Sequence, residues 1–231
     1  MTTTTTLDLG DSGLLRLLQL CSPALPIGMY AYSQGMEHAV EIGAVADEES
    51  AATWIMGLLS HALRAVDVPI LARLHAAWRD DDGAAVRRWN DLLWASRGAR
   101  ELQDEDQRLG SALARVLVAL DVGDAATWIS DPRATYANLF ARAAVSWDLP
   151  ARAAAFGYLF SWAEAQIGAA TRLIPLGQTA SQRILSRAVT AIPAAVDGGL
   201  SLPDGDIGFS APAHVIGCAL HETQYSRLFR S

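Results

Sequence analysis

The sequence predicts an all-α fold, a single compact bundle of about nine or ten helices. Apolar side chains recur at three- and four-residue steps along most of the chain, which is the spacing of one helical face. No run alternates apolar and polar residues as a half-buried strand would. The 231 residues are 51% hydrophobic and 19% charged, a balance typical of a well-packed globular protein. No Pro/Gly/Ser-rich linker is long enough to separate two domains, so one helical domain is expected over residues 13–221.

The N-terminal region should contain a tail and a short helix. Residues 1–12 include a threonine run and are expected to form a disordered tail. A helix then begins near Leu14 and should end near Ser22, because Pro23 and Pro26 disfavour helical backbone at and before their own positions. The proline-rich stretch that follows the helix is predicted to be a rigid, irregular linker.

Capping residues predict the next boundaries. Ser33 is suited to cap a second helix over 34–41, which Gly43 should end. Asp47 is suited to cap the third helix. Further helices follow the same rules, and each has an apolar stripe. Members of these stripes include Ile55, Leu71, Trp89, Leu113, Phe140, Trp162 and Ile184.

Prolines and composition predict the remaining boundaries. Pro69 should begin a new helix at its first turn, and Pro193 should end another. Residues 197–210 are rich in glycine and proline and are predicted to form a loop before a last helix over 211–220. Residues 222–231 are expected to be a tail that is mobile when the protein is alone and that binds a partner.

The absence of lysine excludes several kinds of site. All eighteen basic residues are arginine. A P-loop needs a lysine for the β- and γ-phosphates, Schiff-base chemistry needs a lysine amine, and protein kinases also bind phosphate through a lysine. The chain therefore belongs to none of these classes.

Charge and cysteine content indicate the cellular setting. The formal net charge is −7 and the arginines are scattered, so no nucleic-acid partner is expected. Cys21 and Cys218 are too few for a disulfide framework. Residues 1–6 lack the basic region of a signal peptide, and no stretch of eighteen uncharged apolar residues predicts a membrane span. A cytoplasmic protein without a membrane partner is the interpretation.

The usual sequence motifs of catalysis are absent. The chain contains no Gly-x-Ser-x-Gly elbow, no His-Glu-x-x-His, no Cys-x-x-Cys and no Gly-x-Gly-x-x-Gly. The sequence therefore predicts a protein that is not an enzyme and that uses no cofactor.

One group of residues has the spacing of a metal site. His214, Cys218 and His221 lie at i, i+4 and i+7, so a straight helix places them on one face. Two imidazoles and a thiolate suit a soft or borderline divalent metal. The alternative is structural: Cys218 is a small buried residue, and His221 forms a hydrogen bond near a helix end.

A charged run over residues 97–108 has two interpretations. Asp104 and Arg108 form an i, i+4 pair that supports a helix, and a solvated helical face is the simpler expectation. The other interpretation is a face that binds a partner, in which Arg97 or Arg100 projects as an arginine finger.

Four stretches in chain order carry a resemblance to a known family. They are LQLCSPALPIG at 18–28 continued by YAYSQGME at 30–37, RELQDE at 100–105 with Gly110, PLGQT at 175–179 with Gln182, and HETQYSRLF at 221–229. Together they span nearly the whole chain, which resembles the UreF family of urease accessory proteins. Met29 and Tyr32 depart from the family pattern, so detailed side-chain roles are not carried across those two positions.

The resemblance implies a function through binding. Members are described as all-α and dimeric, and as joining UreD (also called UreH) and the GTPase UreG in a complex that loads nickel into apo-urease. By this resemblance the chain is a nickel-insertion chaperone and a homodimer with no enzyme activity of its own. Tyr30 and Arg227 match positions thought to recruit the GTPase, and the C-terminal segment is thought to become ordered when UreD binds.

Candidate positions and two alternatives follow. The candidate partner-binding residues are Tyr30, Ser33, Glu37, Arg100, Glu101, Gln178, Glu222, Tyr225, Ser226 and Arg227. One alternative is a regulator that activates GTP hydrolysis by UreG through an arginine finger, Arg100 or Arg227. The other is a nickel-carrying helical protein that uses the His214, Cys218 and His221 face.

Overall fold

The computed structural model describes residues 9–208 and 211–230, and over these residues it is a bundle of ten α-helices without a strand. The predicted all-α class is therefore confirmed. The helices are α1 Gly10–Leu20, α2 Met36–Glu41, α3 Glu48–Gly57, α4 Val68–Arg79, α5 Gly83–Ser96, α6 Arg100–Ala119, α7 Tyr136–Ser146, α8 Ala151–Leu173, α9 Gln178–Leu200 and α10 Pro212–His221. Three 3₁₀ turns lie at Met29–Ala31, Gly123–Trp128 and Asp204–Asp206, and a π-helical segment at Leu58–Asp67 joins α3 to α4.

Helix α8 lies at the centre of the bundle. It packs against α1, α4, α7 and α9, and buried residues occupy most of its circumference. A helix that is apolar on all sides must be enclosed by neighbours. Many of its buried residues are alanines, which let adjacent helices approach closely. Tyr158, Trp162 and Gln166 are the large buried residues that this helix presents to the polar groups described below.

The predicted cap of α3 is confirmed, and that of α2 is displaced. Asp47 accepts a hydrogen bond from the backbone N–H of Ser50 at 2.9 Å, and the Ser50 hydroxyl returns to the backbone of Asp47, which completes a capping box. The second helix begins at Met36, two residues later than expected. Gly35 precedes it with φ 75°, a left-handed conformation that favours glycine.

Pro69 lies in the first turn of α4, as predicted, whereas Pro193 does not end its helix. The helical run Glu48–Arg79 continues through Pro69, because the π-helical segment before it widens the turn and accommodates the ring. Pro193 lies inside α9, which continues to Leu200 and shortens the predicted loop. Burial of Ile192 and Val196 on either side of Pro193 offsets the roughly 3 kcal/mol that an internal proline costs.

The N-terminal helix is longer than predicted. It begins at Gly10, so residues 10–12, assigned to the tail, are helical. Residues 1–8 of the predicted tail lie outside the described residues. Leu14, Leu15 and Leu18 remain exposed on this helix.

One helical run satisfies the length and composition of a membrane span. Glu48–Arg79 has 32 residues with a mean hydropathy of 1.4 in its most apolar window. More than half of that window, 56%, is buried inside the bundle, and Asp67, which belongs to the same helical run, pairs with Arg97. This burial is that of a core helix.

Candidate partner-binding site

The C-terminal segment, residues 222–230, lies against the body of the protein. Phe229 is 5% exposed, and the backbone N–H of Arg230 donates to the carbonyl of Ala31 at 2.9 Å. The sequence predicts a mobile tail that binds a partner here. In the structure the segment lies beside the turn that carries Tyr30.

Glu37 is the main anchor of this segment. Its Oε1 accepts the backbone N–H of Leu228 at 2.6 Å, and its Oε2 accepts that of Phe229 at 2.9 Å. The same Oε2 lies 3.0 Å from Nε2 of His221. Helix α2 thus places a buried carboxylate where both of its oxygens accept hydrogen bonds from the C-terminal segment.

His221 joins Glu37 to a second carboxylate. The imidazole is fully buried, and its Nδ1 lies 3.0 Å from both oxygens of Glu101. Arg227 reaches the same carboxylate, with Nη1 3.2 Å from Oε1. Burial raises the pKa of Glu101. When both glutamates are ionised, both ring nitrogens can donate only if the ring is the imidazolium. We call Glu37, Glu101, His221 and Arg227 the C-terminal latch.

The predicted metal set is not assembled. Within the described ranges, no group of three or more His, Cys, Asp and Glu side chains is arranged to hold a metal ion. Both nitrogens of His221 face carboxylates, and the His214 ring packs edge-on against Trp54 with 6.2 Å between ring centroids. Cys218 is buried against Gly35, and burial raises its pKa well above the ordinary thiol value. His214, Cys218 and His221 do lie on one helix, α10, but their nitrogen and sulfur atoms contact other protein groups and not a common point.

A surface groove holds two of the predicted residues, Tyr30 and Gln178. Its volume is about 350 Å³, and Glu164 and Arg172 also line it. The Tyr30 hydroxyl donates to Glu164 Oε2 at 3.2 Å, and burial together with the Glu164 charge raises the Tyr30 pKa to about 12. Arg172 donates to the Tyr30 carbonyl at 2.9 Å and lies 5.8 Å from the ring centroid of Phe229. The groove therefore adjoins the C-terminal segment.

The other candidates divide into buried and exposed side chains. Ser33 is fully buried, and its hydroxyl accepts the Glu37 N–H at 3.4 Å. Glu222 accepts the Glu101 N–H at 3.3 Å, at the first turn of α6. Tyr225 and Ser226 are exposed.

Arg100 is separate from this cluster. Its side chain is 81% exposed and forms an ion pair of 3.8 Å with Asp104. Asp104 therefore pairs with Arg100, one turn before it, and not with Arg108 as predicted. Arg100 is available to solvent at the start of α6.

Much of the charged run is buried, contrary to the expected solvated face. Arg97 pairs with Asp67 at 2.7 Å and with Asp106 at 2.8 Å, and Tyr158 donates its hydroxyl to Asp67 at 2.9 Å. Burial alone would lower the Arg97 pKa, but the two carboxylates outweigh it and raise that pKa well above its ordinary value. Arg97 is therefore not a free arginine finger. Asp67, a lone acid in a long apolar stretch, was the sequence signal for this network.

The fold and the site define a class of protein. It is an all-helical protein that uses buried acidic and basic side chains to anchor its own C-terminal segment beside a surface groove.

Comparison with known proteins identifies the family within that class. The UreF family model matches residues 45–189. A protein of Alkalilimnicola ehrlichii named urease accessory protein UreF is 49% identical over 216 residues, which cover 94% of this chain and 95% of the relative. Proteins of the same name from Hahella chejuensis and Marinobacter nauticus are 43% and 46% identical, over 94% and 96% of this chain and 98% and 96% of theirs. The chain belongs to the UreF family.

Proposed function

We propose that this chain is a urease maturation factor, a nickel-insertion chaperone that bridges UreD/UreH, the GTPase UreG and apo-urease as a cytoplasmic homodimer. Membership of the UreF family, and the name urease accessory protein that its relatives carry, support the role in urease maturation. Nickel is the cargo of the assembled complex in this proposal.

The observation that carries the proposal is the meeting of two distant candidate regions. Tyr30 and the C-terminal segment are about two hundred residues apart in sequence, yet the Arg230 N–H bonds to Ala31 and Arg172 contacts both regions. One continuous face is therefore available to a partner, in place of two separate ones.

The C-terminal segment has the composition of a binding surface. Tyr225 is fully exposed and Leu228 is 64% exposed, while Phe229 between the latch and Arg172 is buried. Tyrosine and arginine are enriched among residues that dominate binding energy. Because the segment is already anchored, it loses less conformational entropy when a partner binds than a free tail would lose.

A pull-down tests this proposal. Tagged chain is mixed with UreD and UreG, and the size and mass of the complex are measured. The double variant Tyr225→Ala/Leu228→Ala should lose UreD capture while its helical circular dichroism stays unchanged. Leu92→Ala, an exposed leucine on α5, is the matched control and should retain capture. Full capture by the double variant would exclude the C-terminal segment as the contact.

A second candidate function rests on the exposure of Arg100. Its guanidinium extends into solvent, whereas Arg227 is bound to Glu101. Activation of UreG by an arginine finger would then depend on Arg100 and would be worth on the order of 10³ in rate. The test is the rate of GTP hydrolysis by UreG, measured with the unaltered chain, with Arg100→Ala and with the exposed control Arg79→Ala. The arginine-finger model predicts that only Arg100→Ala loses the activation. No rate increase with the unaltered chain rejects the finger.

A further inference from the structure

An internal cavity with several polar residues in its wall lies among the helices, separate from the Tyr30 groove. Its volume is about 100 Å³, and the π-helical segment together with α6, α8 and α10 supplies most of its wall. Arg97, Asp67 and Asp106 form part of the lining. The cavity therefore combines charged and polar groups with the apolar core around it.

Three polar atoms without a hydrogen-bond partner belong to residues that line the cavity. They are Oη of Tyr136, Oε1 of Gln166 and Nε2 of His214, and none has a hydrogen-bond partner among the protein groups of residues 9–208 and 211–230. Tyr136 is 4% exposed and Gln166 is 2% exposed. Buried polar groups in folded proteins bond either to other protein groups or to ordered water.

Neighbouring polar side chains make hydrogen bonds to other groups. Gln34 uses both ends of its amide: Nε2 donates to Glu105 at 2.8 Å, and Oε1 accepts the Trp162 indole N–H at 2.8 Å. The Tyr158 hydroxyl donates to Asp67. The three unpartnered atoms come from three different helices, α7, α8 and α10.

We propose that this cavity is a binding site for a cluster of ordered water molecules that bridges Tyr136, Gln166 and His214. A volume of about 100 Å³ is several times the roughly 10–15 Å³ that one buried water needs. Buried waters make about three hydrogen bonds, and the wall offers a hydroxyl, an amide oxygen and an imidazole nitrogen. The cluster completes the hydrogen bonding of α7, α8 and α10 at their junction, and it does not depend on the proposed partners.

The wall at His214 is the route by which these waters exchange. Leu58, Ala211 and His214 line both the cavity and an outer groove of about 750 Å³. Burial lowers the His214 pKa to about 4, so the ring is neutral at neutral pH and its Nε2 bonds a water without burying a charge. The imidazole thus separates the cluster from solvent.

Crystallography of the full chain, with and without xenon pressure, tests the proposal. Xenon enters dry apolar cavities such as those left by core truncations. We expect water density within hydrogen-bond distance of Tyr136, Gln166 and His214, and no xenon at this place. A dry cavity, or xenon bound in it, would overturn the proposal.

Two variants examine the parts of the proposal separately. Gln166→Leu removes the amide acceptor at similar size and should lose the adjacent water, whereas Gln19→Leu on exposed α1 should keep all of them. His214→Ala should shorten water residence times at Tyr136, measured by water–protein cross-relaxation in NMR. An unchanged residence time contradicts the exchange route. If Gln166→Leu does not fold, the crystal of the unaltered chain still decides whether the cavity holds water.

Discussion

Glu37 and His221 are 184 residues apart in the chain, yet Oε2 of Glu37 lies 3.0 Å from Nε2 of His221. The contact joins α2 to α10. It places Glu37, which accepts the backbone N–H groups of Leu228 and Phe229, beside the residue directly before the C-terminal segment. His221 also contacts Glu101, so α6 belongs to the same arrangement. The latch therefore couples three helices to the position of the last residues.

Replacement of Glu37 should release the C-terminal segment. Glu37→Gln keeps the side-chain size but turns one acceptor oxygen into a donor that faces backbone N–H groups. We expect faster amide hydrogen exchange at Leu228 and Phe229, and a loss of about 1–3 kcal/mol in the free energy of unfolding. Glu41→Gln, on the exposed face of the same helix, should change neither. Unchanged exchange in Glu37→Gln would show that the latch does not hold the segment.

Loss of Arg97 should be among the most destabilising substitutions. Arg97→Met keeps much of the side-chain volume but leaves Asp67 and Asp106 as buried carboxylates without their cation. The expected loss is about 3–5 kcal/mol in the free energy of unfolding by denaturant. Arg100→Met removes only an exposed pair at 3.8 Å and should cost less than about 1 kcal/mol. Equal effects of the two variants would contradict the buried network.

Acid should destabilise the protein through His214. The folded-state pKa of His214 is lowered by burial from 6.5 to about 4, so its contribution to stability is complete above pH 6.5 and is lost as the pH falls towards 4. The full contribution is at most about 3 kcal/mol. His214→Gln should flatten the decline of the thermal midpoint over this interval, whereas exposed His61→Gln should not. A decline that is the same in all three proteins would assign acid sensitivity elsewhere.

Gly110 is required by the close approach of α6 to the start of α7. A Cβ at this position would lie 2.6 Å from the carbonyl oxygen of Ala134, a backbone atom that cannot move aside. Gly110→Ala should therefore destabilise the fold by about 1–3 kcal/mol or more in thermal or chemical unfolding. Gly57→Ala meets no atom within 4 Å and should leave stability unchanged or raise it. A neutral Gly110→Ala would mean that the two helices separate readily.

Local rules predicted most of the helices, since apolar periodicity and caps such as Asp47 act within a few residues. The predictions failed where distant contacts decide the outcome. Pro193 remains inside α9 because both flanks are buried, and the charged run is buried because Arg97 meets Asp67, thirty residues away along the chain.

The candidate site shows the same division. The sequence resemblance pointed to Tyr30, Glu37 and the C-terminal residues separately, and nothing in their spacing indicated that they adjoin one another. The helical spacing of His214, Cys218 and His221 was right, but spacing does not show where donor atoms point. Both imidazole nitrogens of His221 are directed at carboxylates that lie far away in the sequence.

Hydrogen exchange of the chain with and without UreD most directly tests the claim that the Tyr30 turn and the C-terminal segment form one partner-binding face. The account predicts added protection in two places at once, over Met29–Ala31 and over residues 222–230, with little change in α5. Protection of only one of the two regions, or of neither while UreD is bound, would contradict it.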